Sequence, residues 1–482
     1  MNTRMIRLMS AVVLVLVLVV TGCSNGGTAD NAKETAATTT TDKATTTNNE
    51  KKEEKPAAPA EKTKLSFWTF DRHDAEFIND VVEQYNATNT DNIEVQVTSM
   101  AENYAQSVDI AFTSKQAPDI LRPNQDTTIP FVQRGYLEPL DSFMDDALKA
   151  KFEPTIQDNV NRFDGKIYTL PNFGYTLRLV YNVDLFKKAN IQNPPTSLDE
   201  LVETAKKLTE AGKADGQYGF ALNFKSPKSA FDRSVREILQ LSGHDGFGFD
   251  QKTAKFDFSH FKPVVEAFKQ MKDDGSMLPG AEALDIDPLR AQFAEGKIGM
   301  YLSYSAEPGV YKNQFPTKIN WAAAMAPTLD GAINGTSGFA NSGQWLAISS
   351  QSEKKEAAWK FLSYMYSDEV LKPYHEEGYG LSAVPAVAAI ANTPNIPGVE
   401  GFLLNKYDAL WPVPPVVTIQ GVNYGDAFMK YILLGGNIDE TVQDLNKRYN
   451  DALDKGVAAG EVKVSPNPSF DPVALQGSML TK

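Results

Sequence analysis

The sequence predicts an α/β protein built from two bodies, and three observations carry that expectation. Strand-like and helix-like segments alternate along most of the chain, the pattern of a mainly parallel sheet covered by helices. From Lys64 onward about 420 residues remain, more than one hydrophobic core ordinarily serves. The alternation also breaks once, at Asn172-Phe173-Gly174-Tyr175-Thr176, between the apolar stretches Ile167 to Leu170 and Leu177 to Tyr181. Two-residue hairpin turns favour adjacent φ-permissive residues such as Asn-Gly. Here one glycine stands between two large aromatics, which a turn tip would gain nothing by exposing. The segment is therefore expected to carry the chain from one body to the other, with aromatics lining the gap.

The elements follow in order. Arg4 and Arg7 precede an apolar run from Ala11 to Val20, too short to span a bilayer, which ends in Val20-Thr21-Gly22-Cys23. This resembles a bacterial lipoprotein signal covering residues 1–22, with Cys23 as the lipidated residue; an ordinary secretory signal with an incidental cysteine is the alternative. Cys23 is the only cysteine, so neither an internal disulfide nor a cysteine metal cluster is available. Residues 24–63 contain no Ile, Leu, Val, Met or aromatic residue and cannot bury enough apolar surface to offset ordering entropy. They read as a disordered tether of about 40 residues, roughly 35 Å in mean span. Leu65 to Phe70, Ala75 to Thr88 and Ile93 to Thr98 then form a β-α-β pattern, with Phe77, Ile78, Val81, Val82 and Tyr85 on one helical stripe. A helix around Tyr104 to Ser114, a strand at 118–121 and a helix through Phe131 repeat it. After Tyr181 the pattern restarts: Ser197-Leu198-Asp199-Glu200 opens a helix as a capping box, Tyr218 to Leu222 is strand-like, and Ala230 to Leu241 and His260 to Lys272 are helical. Met300 to Tyr304, Trp321 to Met325 and Gln344 to Ile348 supply strands, and Glu353 to Tyr366 a long helix. The tail from Ser465, with three prolines, reads as irregular.

The formal net charge is −14, and −16 once residues 1–22, which carry two arginines and no acid, are removed. That argues against nucleic acid, which needs a basic stripe, and weakly against a polyanionic ligand. The four histidines lack zinc spacing and read as surface residues; Tyr379 stands where a metalloprotease helix begun by His375-Glu376 would place its second His. Gly296-Lys297 lacks the rest of a phosphate loop, Asp285-Ile286-Asp287 lacks the rest of a calcium loop, and Gly335-Thr336-Ser337-Gly338 is followed by Phe339 where a nucleophile elbow needs Gly. A carboxylate pair for glycoside hydrolysis stays open among sixty-one acids. No metal site, cofactor site or catalytic group emerges. Aromatic and polar residues do cluster where strands end, at 67–72, 121–126 and 173–175. In open α/β sheets ligands lie beyond the carboxyl ends of the strands. Aromatic faces suit sugar rings, and Asp, Asn and Arg suit hydroxyls. Trp345 and Trp359 are assigned to the core.

In the motifs Ala117-Pro118-Asp119-Ile120, Gly135-Tyr136-Leu137-Glu138-Pro139-Leu140-Asp141, Gly165-Lys166-Ile167-Tyr168-Thr169-Leu170-Pro171, Phe293-Ala294-Glu295-Gly296-Lys297-Ile298-Gly299-Met300 and Ala357-Ala358-Trp359-Lys360-Phe361-Leu362, the chain resembles the extracellular solute-binding proteins, family 1, of carbohydrate ABC importers. The resemblance covers Lys64 to about Val462. It implies a two-lobe, type II periplasmic-binding-protein-like α/β fold with discontinuous lobes joined by a hinge: 64–173 plus 343–384 and 174–342 plus 385–462, with a tail at 463–482. The chain would cross at 172–176, near Ser342-Gly343 and near Pro385. It further implies a non-enzymatic, monomeric receptor for a mono- or oligosaccharide, held outside the membrane by lipid on Cys23 and serving ABC permease subunits. By position, the ligand-binding residues would be Trp68, Asp71, Arg72, Glu102, Asn124, Asp126, Tyr175, Phe231, Tyr304 and Trp411. The alternatives are a lipid-anchored glycoside hydrolase or lyase, and a receptor for a non-sugar solute.

Overall fold

The computed structural model describes residues 62–100, 102–339 and 344–479; the signal, Cys23, nearly all of the tether and the expected crossing at Ser342-Gly343 lie outside them. Two four-stranded sheets organise the rest. In the first, the strand Thr63–Thr69 runs parallel to Ile93–Ser99 in the register Thr63↔Ile93 to Thr69↔Ser99. It pairs on its other edge with Ile120–Leu121, also parallel. Ala347–Ile348 returns from far along the chain and closes the sheet antiparallel, with Ala347 opposite Leu121. Successive residues of a strand point to opposite faces, and both faces here are apolar. Leu65, Phe67 and Ile120 pack with Ile78, Val82 and Phe361, while Leu121 and Ala347 pack with Tyr104, Val108 and Phe131. The helix Ala75–Thr88 has the predicted bounds and buries the predicted stripe.

The second sheet has the order Trp321–Ala324, Leu177–Asn182, Ile298–Tyr304, Tyr218–Phe220. Leu177–Asn182 is antiparallel to both its neighbours, and only Tyr218–Phe220 joins in parallel. Leu179, Met300 and Leu302 face the largest apolar cluster, with Leu201, Leu208 and Phe268. Val180 and Tyr301 face a smaller one, with Phe293 and Trp321. The helix Leu198–Gly212 is capped by Ser197, whose Oγ accepts from the Glu200 amide at 3.2 Å. Glu200 reaches back to the Thr196 amide at 2.7 Å, one residue beyond the usual box partner. Expected as one helix, Ala230 to Leu241 is instead two, Pro227–Arg233 and Val235–Leu241. They break at Ser234, whose φ and ψ are −118° and −73° and whose hydroxyl donates to the Ala230 carbonyl. The tail, expected irregular, carries one short 3-10 turn, Pro472–Leu475.

Between the sheets the chain passes as short paired segments. Phe173–Gly174 lies antiparallel to Leu381–Ser382, and Leu170 bridges Leu346. Ser337–Gly338 lies parallel to Asp408–Ala409. Gly174 leaves space rather than supplying an unusual φ: a Cβ there would stand 1.9 Å from the Phe339 ring. On the last pass Val384 and Val387 still belong to the cluster of Leu65 and Phe67, whereas Phe402 packs with Val180. The change of body therefore falls between Ala388 and Val399, beyond the Pro385 expected from sequence, because Pro385–Ala388 forms a helical turn seated on the first body. Among the described residues no helix is long and apolar enough to cross a membrane.

Candidate functional site

A narrow cavity of about 40 Å³ lies where elements of both sheets meet the crossing strands. Gln125 and Gln157 come from loops of the first body, Arg236 and Phe247 from the second, and Phe339, Gln344 and Trp411 from the segments that connect them. Trp411 is nearly buried. Its Nε1 donates to the Thr336 carbonyl at 3.0 Å, and the Phe470 ring meets it edge-on at 5.8 Å. Phe339 reaches the cavity across the face that Gly174 leaves bare. Arg236 lies over the Phe247 ring, 4.9 Å from its centroid, and its Nε donates to Gln240 Oε1 at 3.2 Å.

Beneath the Tyr175 side of this region runs a charged network. Arg122 is buried and bonds Asp71 and Asp74, each at 2.8 Å. His73 Nε2 meets the hydroxyls of Tyr175 at 2.9 Å and Tyr374 at 3.1 Å, and Tyr374 donates to Asp74 at 2.8 Å. Burial alone would raise the Asp71 pKa, but Arg122 and then His73 outweigh it and hold the carboxyl at about 2. Burial likewise opposes charge on His73, yet Asp74 and Asp71 beside it raise its pKa above 6.5. Asp71, His73 and Asp74 present ligand atoms within 4.8 Å of one another. Arg122 pairs with both carboxylates and His73 lies against them as well, so the chemistry of this set is that of an internal ion cluster. His73 is thereby corrected from a surface residue to a partner of Tyr175. His375 also has a structural role, accepting the Ser382 amide at 3.0 Å, and His244 stacks on His260.

Not all of the expected ligand-binding residues converge. Tyr175 packs against Phe173, His73 and Tyr304, and Arg233 covers the Tyr304 ring at 4.3 Å. Trp411 lines the cavity. Arg72 and Asp126 each reach the second body: Arg72 to Asp287 at 3.8 Å and Asp126 to Lys228 at 3.2 Å. Asn124 spends its side chain on its own turn, accepting from the amides of Asp126 and Thr127. Trp68 is half-buried against the cluster of Tyr104 and Phe131, and Glu102 is exposed. Phe231 is a correction: 1% exposed, it stacks with Phe428 and meets Tyr424 in the large core, because the Ser234 break turns that helix inward. Trp345 is core as expected, while Trp359 is half-buried at the edge, stacked on Phe143. Sequence reasoning missed Arg236, Phe247, Phe339 and the three glutamines. The one available signal was the run of Gly and aromatic residues at 246–249.

Buried acids flank the cavity. Burial raises the Glu237 pKa to about 7, against the pull of Arg178 and Arg236 and a contribution from the Ser337 hydroxyl. It raises that of Asp245 to about 6, against the amides of Phe247 and Phe249.

Residues 71–372 match the model of the bacterial extracellular solute-binding proteins. A binding protein of Brucella abortus is 30% identical over 247 residues, 50% of this chain and 56% of that one. The maltotriose-binding protein of Pyrococcus abyssi is 26% identical over 302 residues, 61% of this chain and 60% of its own. The chain thus spans little more than half the length of these curated relatives. Among solved structures, the ABC substrate-binding protein of Listeria monocytogenes in complex with cycloalternan superposes with a TM-score of 0.64 at 20% identity, covering 82% of this chain and all of that one. This likeness bears out the two-lobe α/β fold.

Proposed function

Because the chain belongs to the family of bacterial extracellular solute-binding proteins, which are receptors rather than enzymes, we propose that it captures a mono- or oligosaccharide between its two bodies and presents it to an ABC permease. The cavity carries this reading: aromatic faces from Phe247, Phe339 and Trp411 stand among the amides of Gln125, Gln157 and Gln344. Aromatic faces pack on the C–H face of a sugar ring, and amides both donate to and accept from its hydroxyls. A maltotriose-binding relative and a structural neighbour holding cycloalternan support the same ligand class. The two bodies act as lobes, and the segments at 173–174 and 337–338, with the passage between Ala388 and Val399, are the hinge. Lipid on Cys23 holds the receptor at the outer face of the membrane on the tether that follows.

A sugar array read by thermal shift tests the binding reading. A ligand at 100 times its Kd stabilises the native state by about 2.7 kcal/mol, and a receptor returns its oligosaccharide uncut. Stabilisation accompanied by cleavage would favour a hydrolase; no stabilisation by any sugar, with stabilisation by another small solute, would replace the ligand class. The anchor has its own test. Cys23→Ser should release the protein from the membrane fraction or leave the precursor unprocessed, and full processing with unchanged membrane retention refutes lipidation.

A further inference from the structure

We infer that the sugar recognised here carries a carboxylate, as a uronate unit does, and that Arg236 receives it; the inference rests on the carbohydrate reading above. Among the described residues, Arg236 is the one charged residue lining the cavity, and no acid lines it. Its side chain is 5% exposed, yet among the described residues no carboxylate lies within 4 Å of its guanidinium. Its only hydrogen bond to a described residue is the one from Nε to Gln240. A buried cation usually has a counter-ion, since desolvation of an unpaired charge is costly. Glu237 and Asp245 feel its charge, but neither forms an ion pair with it and neither lines the cavity.

The guanidinium is also held in place. Gly246 and Gly338 make room for it: a Cβ on the first would stand 2.6 Å from Arg236 Cγ, and one on the second 2.9 Å from Nη2. Phe247 covers one face of its plane. With Nε committed to Gln240, the Nη groups of this cavity-lining residue remain as a planar pair of donors, a geometry that matches a carboxylate. A neutral sugar would leave this charge without a counter-ion in a closed site. A sugar acid supplies one and keeps its ring for Trp411 and Phe339.

The test uses matched pairs of oligosaccharides: oligogalacturonides, glucuronate-substituted xylo-oligosaccharides and alginate oligomers, each beside its methyl ester or carboxyl-reduced form. Melting temperature screens them and calorimetry gives affinities for the hits. At least one acid should bind about 10- to 100-fold more tightly than its neutral counterpart, with an affinity that falls as salt rises. Arg236→Gln should remove that preference, and Arg236→Lys should keep part of it, so a folding defect in one variant does not decide the matter. Neutral sugars that bind as well as acids, or binding of an acid untouched by Arg236→Gln, overturns the inference and leaves the sugar receptor standing. If no sugar of either kind binds, the carbohydrate reading falls and this inference with it.

Discussion

Arg178 and Asp408 form a two-pronged ion pair, at 2.9 and 2.8 Å, with both side chains 0% exposed. Arg178 also donates to the Gly401 and Leu403 carbonyls, so one guanidinium ties the crossing strand to the returning segment. Asp408→Ala should destabilise the protein by about 3–5 kcal/mol, since it strands a buried cation. Urea unfolding measures this, and an unchanged midpoint would show that water reaches Arg178. Glu237 lies beside this pair with neither carboxyl oxygen in a good hydrogen bond. Its folded pKa of about 7 exceeds the usual 4.5, so the folded state holds its proton more tightly. Its stabilising contribution is complete below pH 4.5 and is lost as pH rises through 7, a change on the order of 3 kcal/mol. Glu237→Gln should flatten the stability profile between those limits; a profile that keeps its slope in the variant assigns the titration elsewhere, with Asp245 the next group to change.

Helices and strands were legible where one face is buried and the other wet. The stripe of Ala75–Thr88 and the cap at Ser197 follow from spacing alone, and Ser197→Ala should cost about 1 kcal/mol by thermal unfolding. The break at Ser234 was not legible. The sequence from Ala230 to Leu241 keeps a helical apolar period, and the break depends on how Phe231 and Ile238 seat in one core. Phe231, before the break, is buried, and Arg236, after it, lines the cavity. Gly174 looked like a flexible joint in sequence but acts as clearance for Phe339, a contact between residues 165 positions apart that no local pattern encodes. Gly174→Ala should therefore cost about 1–3 kcal/mol in stability and weaken ligand binding as Phe339 is displaced. If stability and affinity are both unchanged, Phe339 has room to move and the cavity is more plastic than its packing indicates.

For the whole molecule, two sheets were legible in the alternation of strands and helices, but the expected mainly parallel order fails in the second, where Leu177–Asn182 is antiparallel to both neighbours, and the place of the third crossing was not legible. Val384 and Val387 continue the first core without any sequence mark of a boundary. If the paired segments form a hinge, rotation there is taken up by a few backbone dihedrals. Ligand favours the closed form only through contacts that it gains on closure. Small-angle scattering of residues 64–482 should show a smaller radius of gyration with saturating sugar than without it. An identical curve, together with unchanged hydrogen exchange at Phe173 to Thr176, would identify a rigid pocket. The pairs Arg72–Asp287 and Asp126–Lys228 are exposed and individually weak, so they bias this equilibrium slightly and lose that bias in high salt.

The tail reaches further than its irregular sequence suggests. Phe470 braces Trp411, Gln476 donates to the Gly335 carbonyl at 2.9 Å, and Leu475 and Met479 line a groove with Ile156, Ser382 and Pro385. Gln157 belongs to both that groove and the cavity. The segment from Phe470 onward thus braces Trp411 and lines the groove beside the crossing strands without belonging to either sheet. Losing that segment should therefore lower ligand affinity while leaving both sheets folded.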